Sequence, residues 1–153
     1  MALKEEEGKK FRHEPEACDK LAEQTQAVFA KEYDYSLFEI RDLLEHGHEL
    51  HEMSVYLSGN QYYSDTLAKA VFELKIDSDL VVLKLERAAL KDLIVVNSVE
   101  KSILRGEKPK VSKAEVAALA ANLEALSGEV DRLYERACDL VSKIKVEFKE
   151  HGR

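Results

Sequence analysis

The sequence predicts an all-α protein, an antiparallel four-helix bundle with two short and two long helices. Three observations carry that expectation. Glycine and proline number only 6 and 2 in 153 residues, too few for turn-rich β folds or low-complexity disorder. Neither occurs from Asn60 to Arg105, so nothing in that stretch interrupts a long helix. From Val116 to Ile144, apolar residues alternate steps of three and four, the spacing that keeps them on one helix face.

Taken in order, residues 1–12 are rich in Lys and Glu with almost nothing to bury, and are expected to form a disordered tail. Residues 13–151 then make one helical-bundle domain. Pro15 suits the first position of a helix, and Glu14, Glu16 and Asp19 favour its positive end. Cys18, Leu21, Thr25 and Val28 recur at helical steps, giving helix one to about Ala30. Tyr33-Asp34-Tyr35-Ser36 reads as a turn with Ser36 as the next N-cap. Helix two places Leu37, Ile40, Leu43, Leu44, Gly47, Leu50, His51, Ser54 and Leu57 on one face, and Ser58-Gly59-Asn60 ends it.

Residues 65–104 form helix three, on the order of 60 Å long. Leu80-Val81-Val82-Leu83 and Leu93-Ile94-Val95-Val96 are apolar on every side, which suits a central helix touching several neighbours. Two buried strands are the alternative for those runs. Gly106 and Pro109 mark a turn, and Ser112-Lys113-Ala114-Glu115 is a capping box. Helix four follows with Val116, Leu119, Leu123, Leu126, Val130, Leu133, Ala137, Leu140 and Ile144 in one register, widened by Ala120, Tyr134, Val141 and Phe148. Side by side, the short pair covers only about half of the long hairpin. Either the long helices bend, near Asp77-Ser78-Asp79, or the uncovered half meets another subunit. A homodimer is therefore expected.

Charge and composition narrow the function. Lys and Arg total 23 against 30 Asp and Glu, a net charge of −7, which disfavours nucleic acid as a partner. The basic cluster Arg105, Lys108, Lys110 and Lys113 is read as complementing the negative end of helix three. No run of 18 apolar residues is present, so no membrane span is expected. Met1 to Lys10 is charged and resembles no secretory signal. Cys18 and Cys138 lie 120 residues apart in no metal-knuckle or redox spacing. A cytoplasmic protein with reduced thiols is the expectation.

One polar constellation invites chemistry. Three of the five histidines lie in Glu45-His46-Gly47-His48-Glu49-Leu50-His51-Glu52. Helical spacing aligns Glu45, His48, Glu49 and Glu52 beside the apolar stripe that holds His51. If helices two and three fold back tightly around Gln61, Glu49 faces Glu73 and Glu45 faces Asp77. Carboxylates meeting so repel unless a cation, proton or water relieves them. The candidate metal ligands are therefore Glu45, His48, Glu49, Glu52, Glu73 and Asp77. Their oxygen-rich set suits Mg, Mn or Fe, whereas a Cys18, His48 and His51 grouping suits Zn. A solvated polar face with one hydrogen-bonded core histidine is the alternative. Only Glu45/His48 has Glu-x-x-His spacing, so a ferritin-like di-iron bundle is excluded. No phosphate loop or nucleophile elbow occurs.

Leu67-Ala68-Lys69-Ala70-Val71-Phe72-Glu73-Leu74, with Asp77, Asp79, Leu83, Leu85 and Leu90 beyond, resembles the second helix of PhoU-type phosphate-uptake regulators. Glu39-Ile40-Arg41-Asp42 and the helix to Leu57 resemble that family's preceding helix. The similarity covers about a third of the chain. It implies a helical bundle that regulates by contacting membrane or signalling partners, with Glu73-x-x-x-Asp77 matching a metal-cluster motif. Residue 75 is Lys where the family often has an acid, and no second copy of the motif occurs. Glu49-x-x-Glu52 with a later acidic pair also resembles MazG-type nucleotide pyrophosphohydrolases. That likeness implies Mg²⁺ held by Glu49, Glu52, Glu73 and Asp77, although the second pair is spaced four apart rather than three. The preferred expectation is a non-enzymatic regulatory or interaction protein that self-associates or binds another protein. A Mg-dependent nucleotide pyrophosphohydrolase is the alternative.

Overall fold

The computed structural model describes residues 15–151, and the tail expected over 1–12 lies outside them. Four α-helices follow one another: α1 (Pro15–Val28), α2 (Glu39–Ser58), α3 (Asp65–Leu104) and α4 (Lys113–Glu150). Among the described residues no strand is present, so the chain is all-α and the two valine-rich runs of α3 are helical. Their uninterrupted course through Asp77-Ser78-Asp79 reflects strong helix formers on both sides and no proline or glycine.

The helices divide into two compact units. One takes the described residues up to Leu37 with Asp92–Leu119, the other Phe38–Lys91 with the described residues from Ala120. The long helices α3 and α4, at 40 and 38 residues, run through both units, whereas α1 belongs to the first and α2 to the second. Each short helix is thus matched to its own stretch of the long pair. The physical reason is length, since helices of 14 and 20 residues can each cover only part of a 40-residue partner.

In the first unit α1 passes into a π-helical turn, Phe29–Tyr33, which ends at Asp34 in the left-handed conformation with φ 50°. The amides of Asp34 and Tyr35 both donate to the Phe29 carbonyl, satisfying a helix end as left-handed caps do. The tight reversal brings Phe29, fully buried, against the rings of Tyr33 and Tyr35 at 5.6 and 5.8 Å. The Tyr33 hydroxyl donates to the Val111 carbonyl at 2.8 Å. Two sequence expectations fail here. Ser36 is no N-cap, because α2 begins at Glu39 with Phe38 in the cap position and no side-chain bond. Cys18 is exposed, while Thr25 of the same expected stripe is buried and Phe29 joins it. At the other end of this unit, Gly106 adopts φ +65° after α3. Ser112 Oγ accepts the Glu115 amide at 3.1 Å, the serine half of the expected capping box.

In the second unit α2 and α3 run antiparallel. Ser54 meets Ser78, His51 meets Asp79, and Gly47 lies against Leu85. A tight turn at Gln61 would pair these α2 residues eight to ten positions earlier along α3, so the register is displaced by more than two turns. The cause is the six-residue connection 59–64 between the helices, which carries the chain past the end of α2 before α3 begins. From α4, the seven stripe residues Leu123 to Ile144 are buried in this unit, as Val116 and Leu119 are in the first, as their spacing requires. Each large one stabilises the fold by about 1.5–3 kcal/mol.

One further expectation is corrected. The all-round apolar runs of α3 are not surrounded by neighbours. Val81 and Val95 are buried, but Leu80 and Leu83 are 51% and 61% exposed, and Leu93 and Ile94 are 53% and 69% exposed.

Candidate functional site

The polar residues between α2 and α3 form a short ladder in the second unit. Ser54 and Ser78 are fully buried, and their hydroxyls meet at 2.6 Å. Each is also within reach of a carbonyl of its own helix, Ser54 of His51 and Ser78 of Lys75. One turn along, His51 donates from Nε2 to Asp79 Oδ1 at 2.5 Å, and Lys75 Nζ donates to Asp79 Oδ2 at 3.1 Å. The Lys75 ammonium, followed by His51, holds the Asp79 carboxyl below the ordinary carboxylate value. Both Asp79 oxygens are therefore engaged, and the cluster acts as a clip between α2 and α3. His51 makes the hydrogen bond expected of a core histidine, but with 34% of its side chain exposed it is not in the core.

The displaced register distributes the expected metal ligands differently. Asp77 accepts Arg136 Nη1 of α4 at 2.7 Å. Glu49 accepts the Tyr134 hydroxyl at 3.3 Å, and burial with the Glu49 charge pushes the Tyr134 hydroxyl pKa up. Glu45, His48, Glu52 and Glu73 are exposed. The pairings of Glu49 with Glu73 and of Glu45 with Asp77 are not formed, because Glu73 lies level with the end of α2 rather than with Glu49. Among the described residues, no group of three or more His, Cys, Asp or Glu side chains could hold a metal ion.

Two chemistry-bearing residues escaped the sequence reading. Asp79 had a local signal, its i, i+4 spacing from Lys75, but its partner His51 depended on the register. Glu147 had a clearer one, since it continues the three-and-four stripe of α4 into a core position. It is only 8% exposed and accepts the amides of Tyr63 at 3.3 Å and Ser64 at 2.8 Å. A buried carboxylate at the start of α3 satisfies orphan donors and complements the helix dipole. Tyr63 in turn stacks on His151 at 4.2 Å. An open groove of about 560 Å³ beside them is lined by Leu67, Leu140 and Lys143. Among the described residues, no buried side-chain polar atom lacks a hydrogen-bond partner, so the buried polar groups of this unit are satisfied within the protein.

An apolar face is also left open. Phe72, Ile76, Leu80, Leu83 and Leu90 are 51–62% exposed. They share the side of α3 opposite its buried Val71, Leu74, Val81, Leu85 and Ala88. No protein-family model matches the chain, and no curated protein or solved structure matches it significantly.

Proposed function

We propose that this chain is a non-enzymatic interaction protein of the regulatory kind, working through the outer face of α3 against a second copy or another protein. The observation that carries the reading is the row of five large apolar side chains left more than half exposed on one side of α3. A contiguous apolar face of that extent marks a contact surface, because leaving it in water costs stability without return. The likeness of residues 39–90 to the helices of PhoU-type regulators supports the same role. Such proteins act by contacting partners, and α2 and the first part of α3 are where the likeness falls. Two exposed free thiols, Cys18 and Cys138, favour a reducing, cytoplasmic setting.

Two measurements on the full chain test the reading. Leu83→Arg should abolish concentration-dependent association, or capture of a specific protein partner, while its helical circular dichroism stays unchanged. Nucleotide turnover with Mg²⁺ should be absent. Pyrophosphate release that Glu49→Gln eliminates would overturn the reading, and so would the absence of any Leu83-dependent association.

A further inference from the structure

We infer that the occupant of this face is a second copy of the chain, its α3 parallel to the first and in register, so that Glu86 of each copy meets Arg87 and Lys91 of the other. The inference rests on the interaction reading above and adds the partner and its alignment.

The spacing of the face makes a seam. Ile76, Leu80, Leu83, Arg87 and Leu90 alternate steps of four and three, the repeat that keeps one line of a helix against a partner helix. The four apolar members are each more than half exposed, and Arg87 is exposed among them. A single charged residue in such a seam costs stability and fixes how the two helices align.

Charge identifies the partner. Glu86 lies on one flank of the seam, and Arg87 and Lys91 lie toward the other. All three are exposed, and among the described residues none of them makes an ion pair within the chain. A two-fold axis parallel to α3 sets opposite flanks of the two copies against each other. Glu86 then meets Arg87 at its own level and Lys91 five residues further along, as flanking charges pair across parallel helices. Each pairing occurs twice, as an isologous interface requires. Asp79 and Lys84 repeat the same offset one heptad earlier, besides the partners they hold within the chain. An unrelated helix would need its own acid opposite Lys91 and its own base opposite Glu86, whereas a second copy brings both.

An antiparallel pair centred at Leu83 lacks this match. It turns each flank toward its own counterpart, which puts Glu86 beside Asp79, and like charges disfavour an interface.

Charge exchange between copies reads the partner. Glu86→Lys or Lys91→Glu alone should weaken the dimer by about tenfold at low salt, because two attractive pairs become repulsive. Mixing the two variants should restore association, since each altered charge then meets its opposite on the other copy. Cysteine pairing reads the alignment. In a Cys18→Ser, Cys138→Ser background, Ile76→Cys and Leu90→Cys should each cross-link to themselves under mild oxidation. A mixture should give no link between the two variants, because in parallel helices they sit about 21 Å apart along the axis, beyond disulfide reach. A link between Ile76→Cys and Leu90→Cys without self-cross-linking would establish an antiparallel pair and overturn the inference. A mixture of the charge variants that stays as weak as either alone would overturn it as well. So would light scattering that finds only monomer at every concentration. The broader interaction reading would then fall only if Leu83→Arg also left capture of other proteins unchanged.

Discussion

Gly47 of α2 lies directly against Leu85 of α3, and a Cβ added at position 47 would collide with Leu85 Cδ1. Both residues are buried, Leu85 completely, so the close approach of the helices depends on the missing side chain.

That contact sets a sign. Gly47→Ala gains about 1 kcal/mol in helix propensity, but overpacking a filled core costs about 1–3 kcal/mol. The variant should be less stable than the parent by up to about 2 kcal/mol, and Gly47→Val more so. Urea unfolding would check this, and a stabilised Gly47→Ala protein would mean that Leu85 moves aside freely. In a Leu85→Ala background the penalty for Gly47→Ala should vanish, since the colliding methyl is gone.

Ser54 and Ser78 supply a second cycle. Each single alanine variant should cost about 1 kcal/mol, because the surviving hydroxyl loses its cross-helix partner in a buried site. The double variant should cost less than the two together, with a coupling of about 0.5–1.5 kcal/mol. Strict additivity would show that the hydroxyls are satisfied by their own helix carbonyls alone.

Glu147 holds the chain where it enters α3. Glu147→Ala removes two charge-assisted bonds to the Tyr63 and Ser64 amides and should cost about 1–3 kcal/mol. Glu147→Gln, which keeps an acceptor, should cost less. Amide hydrogen exchange at Tyr63 and Ser64 should accelerate in Glu147→Ala, while exchange at Leu50 in α2 stays slow. Unchanged exchange at both amides would refute the capping role.

Two aspartates should make stability depend on pH in opposite directions. Asp79 is held below the ordinary carboxylate value, chiefly by Lys75. Its contribution is therefore present above that ordinary value and is lost as pH falls through the lowered one. Burial pushes the Asp92 carboxyl up, only partly offset by the hydrogen bond that Tyr35 donates. Its contribution is full below the ordinary value and is lost as pH rises through the raised one. Relative to the parent, Asp92→Asn should therefore gain stability from acid to neutral pH, and Asp79→Asn should lose it. Denaturant melts at several pH values would test the pair, and parallel curves for parent and variants would contradict both assignments.

The helices themselves were legible in the residues. The ends of α3 at Asp65 and Leu104, the start of α4 after Ser112, and the nine buried positions of its stripe follow from local spacing and helix breakers. These are short-range properties, since a helix hydrogen-bonds within itself and a stripe is a matter of three- and four-residue steps. Glu147 was missed, although it continues that stripe as an acidic residue at a core position.

What the tertiary structure alone decided is level and coverage. Six connecting residues between α2 and α3 can turn back at once or run on, and no local rule distinguishes the two. Running on carried Asp79 to His51, sent Asp77 to Arg136, and separated Glu49 from Glu73. Nor could periodicity say which apolar faces would be covered, because a helix that is apolar all round is compatible with many neighbours or few. Local backbone and side-chain preferences specify four helices and their buried stripes. The fold decided that Leu83 stands open while Val81, two residues away, is wholly buried, because burial depends on which helices arrive alongside.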